Sequence, residues 1–180
     1  MRQLTDTGRK EMVNDEQTRH GVRVIDYLPH HHESFRALNL AWITKYFVVE
    51  DADRKALDDP ENNILQPGGA IFMAEADGEV VGTCALMKCR DGTYELAKMA
   101  VAPSAQGRGV GRALGEAAIA RARSLGAPHV ELLSNTVLAP ALALYRSLGF
   151  AEVPLPRTDY RRANIKMVLE LSRPDGAKNR

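Results

Sequence analysis

The stretch Gln106-Gly107-Arg108-Gly109-Val110-Gly111 constrains what this chain can fold into more than any other. An apolar run, Tyr94 to Val101, precedes it, with Ala102-Pro103 as a break. A run with helical spacing, Val110 to Leu125, follows. A strand, a glycine-rich turn and a helix start, in that order, build an anion site. Glycines let the backbone come close to a ligand. The first N–H groups of a helix have no partner inside it, and the helix dipole adds partial positive charge there. A phosphate or pyrophosphate is the expected guest.

Three glycine patterns compete for this stretch. A P-loop ends in Gly-Lys-Ser/Thr, but Arg112-Ala113 follows Gly111, which excludes it. The dinucleotide fingerprint places a third glycine three residues after the second. Counting from Gly107 and Gly109, that position is Arg112. The third pattern is Gln/Arg-x-x-Gly-x-Gly/Ala after a strand and a proline, and Gln106, Gly109 and Gly111 match it. Taken alone, the six residues also read as a plain strand-to-helix turn. With that pattern the chain resembles the GNAT superfamily of acyl-CoA-dependent N-acyltransferases. Ala141 to Phe150 is similar to the superfamily's C-terminal helix, with its tyrosine and its Leu-Gly-Phe exit. Glu95 to Pro103 is similar to its central strand. The resemblance spans roughly residues 70 to 171.

With 180 residues, one domain is expected. Residues 21–171 read as that domain, 1–20 as a polar lead and 172–180 as a polar tail. A formal charge of +1 supplies no basic field for nucleic acid and no strong pull toward an anionic membrane. No apolar run approaches the roughly 20 residues that span a bilayer. The first residues carry no signal-peptide core, so a cytoplasmic protein is expected. Cys84 and Cys89 cannot make a disulfide framework and read as free structural thiols. In His30-His31-His32, consecutive residues do not share a helix face. No second Cys/His cluster exists, and no metal is expected.

Along the chain, Gly21 to Tyr27 alternates as a strand. His31 to Phe47 has Phe35, Leu38, Ala41/Trp42 and Tyr46 at helical spacing. Val48 to Leu57 continues as a second short helix, stopped at Asp58-Asp59-Pro60. Strands are predicted at Ala70 to Ala76, Glu79 to Lys88 and Thr93 to Val101, with Asp77-Gly78 and Arg90-Asp91-Gly92 as hairpin turns. A helix over Gly109 to Leu125 leads to a strand, His129 to Ser134, parallel to the third of these. A helix at Leu138 to Leu148 precedes the last two strands, Phe150 to Val153 and Asn164 to Leu171. The order β-α-α-β-β-β-α-β-α-β-β gives an α/β fold with a mixed sheet and helices on both faces.

The resemblance implies a central sheet splayed into a V, opened by a bulge near Lys98 to Ala100. It implies acetyl-CoA as co-substrate, its pyrophosphate on Gln106, Gly107, Arg108, Gly109, Val110, Gly111 and Arg112. The pantetheine would pair with Met99, Ala100 and Val101, the Met99 N–H serving the oxyanion. An ammonium group must lose a proton before it attacks. Glu95, eleven residues before Gln106, is the candidate base. Tyr145 is the candidate acid for the leaving thiolate. Many superfamily members place an asparagine seven residues before that tyrosine. Here Leu138 stands there, and Asn135 is carried as a cofactor contact or, equally, an Asx turn.

If the first helix continues as far as Glu50, Trp42, Tyr46 and Glu50 form one face suited to a cationic amine; Trp42 also reads as a core-packing residue. Tyr160, Arg161, Arg162 and Asn164 form a polar cluster before the last strand, and Arg161 is taken as a substrate contact. The implied activity is direct acetyl transfer to the amine of a small molecule or peptide. The alternative is a non-catalytic acyl-CoA-binding regulatory module. Homodimers occur among the proteins this chain resembles.

Overall fold

The computed structural model describes residues 18–19, 21–158 and 160–171. The polar tail, and the lead apart from Thr18–Arg19, lie outside them. Eight strands form one mixed sheet in the order β1-β2-β3-β4-β5-β6-β8-β7. They are β1 (Thr18–Arg19), β2 (Val22–Asp26), β3 (Ala70–Ala76), β4 (Glu79–Lys88), β5 (Tyr94–Val101), β6 (His129–Ser134), β7 (Ala151–Val153) and β8 (Ile165–Glu170). The helices are α1 (His32–Tyr46), α2 (Asp51–Asp58), α3 (Val110–Ser124) and α4 (Ala139–Ser147). No helix among the described residues is long and apolar enough to cross a membrane.

Three features depart from the expectation. β1 pairs antiparallel with β2, so the ordered fold begins before residue 21. A turn of π-helix, Glu61–Leu65, for which no element was predicted, follows α2. The helix holding Trp42 stops at Tyr46, because Phe47 is fully extended. Glu50 instead stands at the N-cap of α2, and the Asp53 carboxylate accepts its backbone N–H at 3.1 Å. Trp42, Tyr46 and Glu50 therefore do not share one helix face.

The sheet is covered on both sides, which explains why the first five residues of β3, Ala-Ile-Phe-Met-Ala, are apolar without alternation. Phe72 and Ala74 pack with Val110, Leu114 and Ala118 of α3. Ile71 and Met73 face the other way, onto Phe35 and Ile43 of α1 and Leu57 of α2. The meander β3-β4-β5 is antiparallel, and its first turn, Asp77-Gly78, has both φ angles positive (54° and 82°). That is the tight hairpin geometry which Asp-Gly favours.

The functional geometry begins where this sheet opens. β5 and β6 run parallel, but they pair only at Tyr94–Val130 and Glu95–Glu131. Beyond those residues β6 continues to pair with β8 as far as Ser134, and β5 with β4 as far as Val101. Their facing edges thus diverge into a V. In the β4–β5 ladder, Thr83 pairs with Ala100 and Ala85 with Ala97, so Lys98 and Met99 together oppose Cys84. This bulge sits within the stretch, Lys98 to Ala100, where the resemblance implied one. Lys98 has φ 51°, a left-handed conformation rare outside glycine and costly in backbone strain.

Candidate active site

One cavity of about 620 Å³ occupies the V. It runs from Gln106, Gly107 and Gly109 along Leu96 to Val101, past Glu95 and Tyr145, to Trp42 and Tyr46 of α1. Gly107 and Gly109 have φ of 75° and 80°, and Gly109 is the N-cap of α3. A Cβ at either position would meet nothing within 4 Å, so conformation rather than crowding demands glycine there. The N–H groups of Val110, Gly111 and Arg112 have no acceptor among the described residues. Those amides, the open glycine backbone and the unpaired edge of β5 fit a pyrophosphate followed by an extended amide-bearing chain.

The remaining loop candidates divide by location. Gln106 donates its side-chain N–H to the Val101 carbonyl (3.3 Å), tying the loop to the strand end. Val110 is buried in the core, which leaves its backbone alone to face a ligand. Arg112 lines the cavity and donates to Ser147 Oγ at 2.7 Å. Arg108 lies off the cavity wall, exposed and 3.8 Å from Asp77. Asn135 is on the wall, but its amide is used within the fold. It donates to the Arg162 carbonyl (2.6 Å) and accepts the Val137 N–H (3.0 Å), which is the Asx turn of the two alternatives.

Glu95 points into the V beside the last paired residues of β5 and β6. Its carboxylate makes no hydrogen bond or ion pair to the described residues. Burial pushes it up to about 7; the Lys98 charge opposes that rise and Glu131 adds to it. A carboxylate balanced near neutrality is suited to take and return protons. The Tyr145 ring packs edge-on against Phe150 with centroids 6.1 Å apart. Burial holds its phenol far above its ordinary value, so the proton stays on oxygen in the resting cavity. Cys84 is wholly buried and its thiol is pushed up by that burial, which removes it as a nucleophile.

At the α1 end lies an ion cluster that sequence reasoning missed. Lys98, turned inward by the bulge, donates to Asp53 Oδ1 at 2.8 Å and to the Tyr160 hydroxyl at 2.9 Å. Arg162 grips both Asp53 oxygens, at 2.6 and 2.8 Å, and reaches Glu50 at 3.1 Å. Asp53 is 0 % exposed. Burial alone would raise its carboxyl, but the Arg162 hydrogen bonds and the Lys98 ammonium hold it down at about 2. Glu50 lies off the cavity wall and accepts the backbone N–H groups of Arg161 (2.8 Å) and Arg162 (3.3 Å). Two substrate assignments change as a result. Glu50 is a clamp on the 160–163 loop, and the arginine that reaches the cavity is Arg162, whereas Arg161 is exposed and off the wall.

Trp42 and Tyr46 do line the cavity, with Phe47 beside them; Trp42 lies 6.3 Å from Tyr46 and 5.9 Å from Phe47, centroid to centroid. Their role differs from the expected cation cage. The Tyr46 ring carries Lys45 at 5.2 Å, and Arg162 lies 5.9 Å from the Phe47 ring and 4.9 Å from the Tyr160 ring. The histidines serve the fold: His31 Nδ1 accepts the Leu28 N–H (2.9 Å), and the His32 ring lies 2.9 Å from the Leu57 carbonyl.

The model of the Acetyltransferase (GNAT) family matches residues 31–150, more than half of the chain. The protein belongs to the GNAT acetyltransferase family. Its relatives include Escherichia coli Uncharacterized N-acetyltransferase YjgM, 32% identical over 71% of this chain and 77% of that protein. Mycothiol acetyltransferase of Thermomonospora curvata is 40% identical over 48% of this chain but only 29% of its own length, so this GNAT protein spans under a third of that relative. Among solved structures, a GNAT acetyltransferase of Staphylococcus aureus Mu50 superposes with a TM-score of 0.77. It is 21% identical, over 84% of this chain and 99% of that one. The yncA acetyltransferase of Salmonella typhimurium, solved with its cofactor acetyl-CoA, has a TM-score of 0.67 at 18% identity. It covers 87% of this chain and 97% of its own. These likenesses establish the fold.

Proposed function

We propose that this acetyltransferase moves an acetyl group from acetyl-CoA to a primary amine by direct attack in a ternary complex. One observation carries the reading. A single cavity joins the unpaired amides at the start of α3, the open edge of β5 and the buried carboxylate of Glu95. The α3 amides and Gly107–Gly111 would hold the pyrophosphate, and the edge of β5 from Met99 to Val101 the pantetheine. Glu95 takes the proton of the incoming ammonium, directly or through a water. The amine nitrogen then bonds to the thioester carbon, whose oxygen is stabilised by the Met99 N–H. As the C–S bond breaks, Tyr145 gives its proton to the departing sulfur, and the proton that the nitrogen sheds on becoming an amide returns to the Tyr145 oxygen, directly or through water. The free thiols Cys84 and Cys89 fit a reducing, cytoplasmic setting.

Release of CoA thiol, followed with a panel of amines, tests the reading. The base has to be ionised to act, so kcat is expected to climb as pH rises through about 7, the value at which Glu95 titrates. A profile that is flat between pH 5.5 and 8.5 would remove Glu95 as the base. Tyr145→Phe keeps the ring against Phe150 and is expected to lower kcat by about 10²-fold. Its melting point should stay within a few degrees of the parent. Normal turnover combined with a large loss of stability would leave Tyr145 as a packing residue.

A further inference from the structure

The ion cluster at the α1 end of the cavity has an unequal inventory of hydrogen-bonding capacity. Its acceptors are consumed. Asp53 Oδ1 takes bonds from Lys98 and Arg162, and Oδ2 from Arg162 and the Glu50 N–H. Glu50 Oε1 takes the Arg162 N–H and guanidinium, and Oε2 the Arg161 N–H. Its donors are not consumed. An ammonium has three N–H bonds and Lys98 uses two; a guanidinium has five, and the Arg162 Nε–H has no partner among the described residues. The Tyr160 oxygen accepts from Lys98, which leaves its own O–H to donate. Lys98, Tyr160, Arg162 and Asp53 line the cavity, whereas Glu50 does not, and both Asp53 oxygens are already engaged within the cluster. The cluster therefore offers the cavity donors, two of them on cationic groups.

Glu95 lies three residues before Lys98 on the same strand and faces the same space. Trp42, Tyr46 and Phe47 line the same cavity. Resting on the proposed acetyl transfer, we propose that the acceptor is a free α-amino acid with an apolar or aromatic side chain. Its amine meets Glu95, its α-carboxylate takes the spare N–H and O–H groups of Lys98, Tyr160 and Arg162, and its side chain lies on the α1 aromatics. A carboxylate suits this set because charge-assisted bonds to ammonium and guanidinium groups are stronger than neutral ones. Without such a group those donors are left to water, which a charged acceptor outcompetes.

Three matched acceptors test this with the full chain and acetyl-CoA: L-phenylalanine, L-phenylalaninamide and phenethylamine. The expected kcat/KM for L-phenylalanine exceeds both others by at least about 10-fold. In Tyr160→Phe, which keeps the ring, and separately in Lys98→Met, the ratio of L-phenylalanine to phenethylamine is expected to fall at least about 5-fold. Equal turnover of the amide overturns the carboxylate. Phenethylamine as good as the amino acid, or a ratio unchanged in both variants, overturns the inference while the proposed transfer stands, leaving the cluster as a clamp on the loop. Acetyl-CoA binding with no turnover of any of the three overturns the inference, and the proposed transfer falls with it only if the wider amine panel releases no CoA thiol either.

Discussion

Replacing Glu95 with glutamine is expected to lower kcat at pH 7 by about 10²–10⁴-fold, the range a well-placed general base supplies. The amide keeps the shape and most of the volume of the carboxyl but cannot take a proton. Binding of acetyl-CoA, read by calorimetry, should change little, because the α3 amides lie at the other end of the cavity. Retained turnover would remove Glu95 from the chemistry. The same substitution has a second readout of opposite sign. The Glu95 carboxyl titrates near 7 in the fold and well below that in the unfolded chain. Between about pH 4.5 and 7 the native state therefore binds more protons than the unfolded one, and stability falls as pH rises through that window. Above it, ionised Glu95 costs the native state on the order of 1–3 kcal/mol. At pH 8 the Glu95→Gln protein should melt higher than its parent; at pH 5 the two should be close. An inactive variant that is also less stable at pH 8 would point to a structural defect.

Gly109→Val is expected to weaken acetyl-CoA binding by about 100-fold or more, some 2.7 kcal/mol. The new methyl groups would strike nothing, since a Cβ at Gly109 has no neighbour within 4 Å. The damage comes from φ of 80°, which a β-branched residue resists. The loop must retwist to relieve a local cost of about 1–2 kcal/mol, and this turns the α3 amides away from their guest. Because the cost is local, the melting point should drop by only a few degrees. Undiminished affinity in calorimetry would count against the loop as the pyrophosphate site.

The parts of this fold that sequence displays best are those governed by local rules. The glycine loop, the Asp77-Gly78 hairpin and the strand from His129 to Ser134 follow from turn chemistry and periodicity, and the structure has them in place. The break after Tyr46 was hidden. Phe47-Val48-Val49 suits a continuing helix or an extended link equally, and tertiary packing decides between them. The cluster of Asp53, Lys98 and Arg162 was hidden for another reason. Its members lie 45 and 109 positions from Asp53 along the chain, and each alone reads as a solvated charge. One signal was available. Lys98 interrupts the apolar run of β5 at a position whose alternation points inward. An inward-facing lysine at a bulge requires a buried partner.

The two-sided sheet carries an evolutionary corollary. The anchor proposed for the thioester belongs to α3 and the layer beneath it, which includes Phe72 and Leu114. The wall assigned to the acceptor belongs to α1, α2 and the opposite layer, which includes Ile71 and Met73. Substitutions that reshape the second layer are insulated from the first by a stiff hydrogen-bonded plane. Descendants of this chain can therefore change clientele while inheriting the donor grip intact.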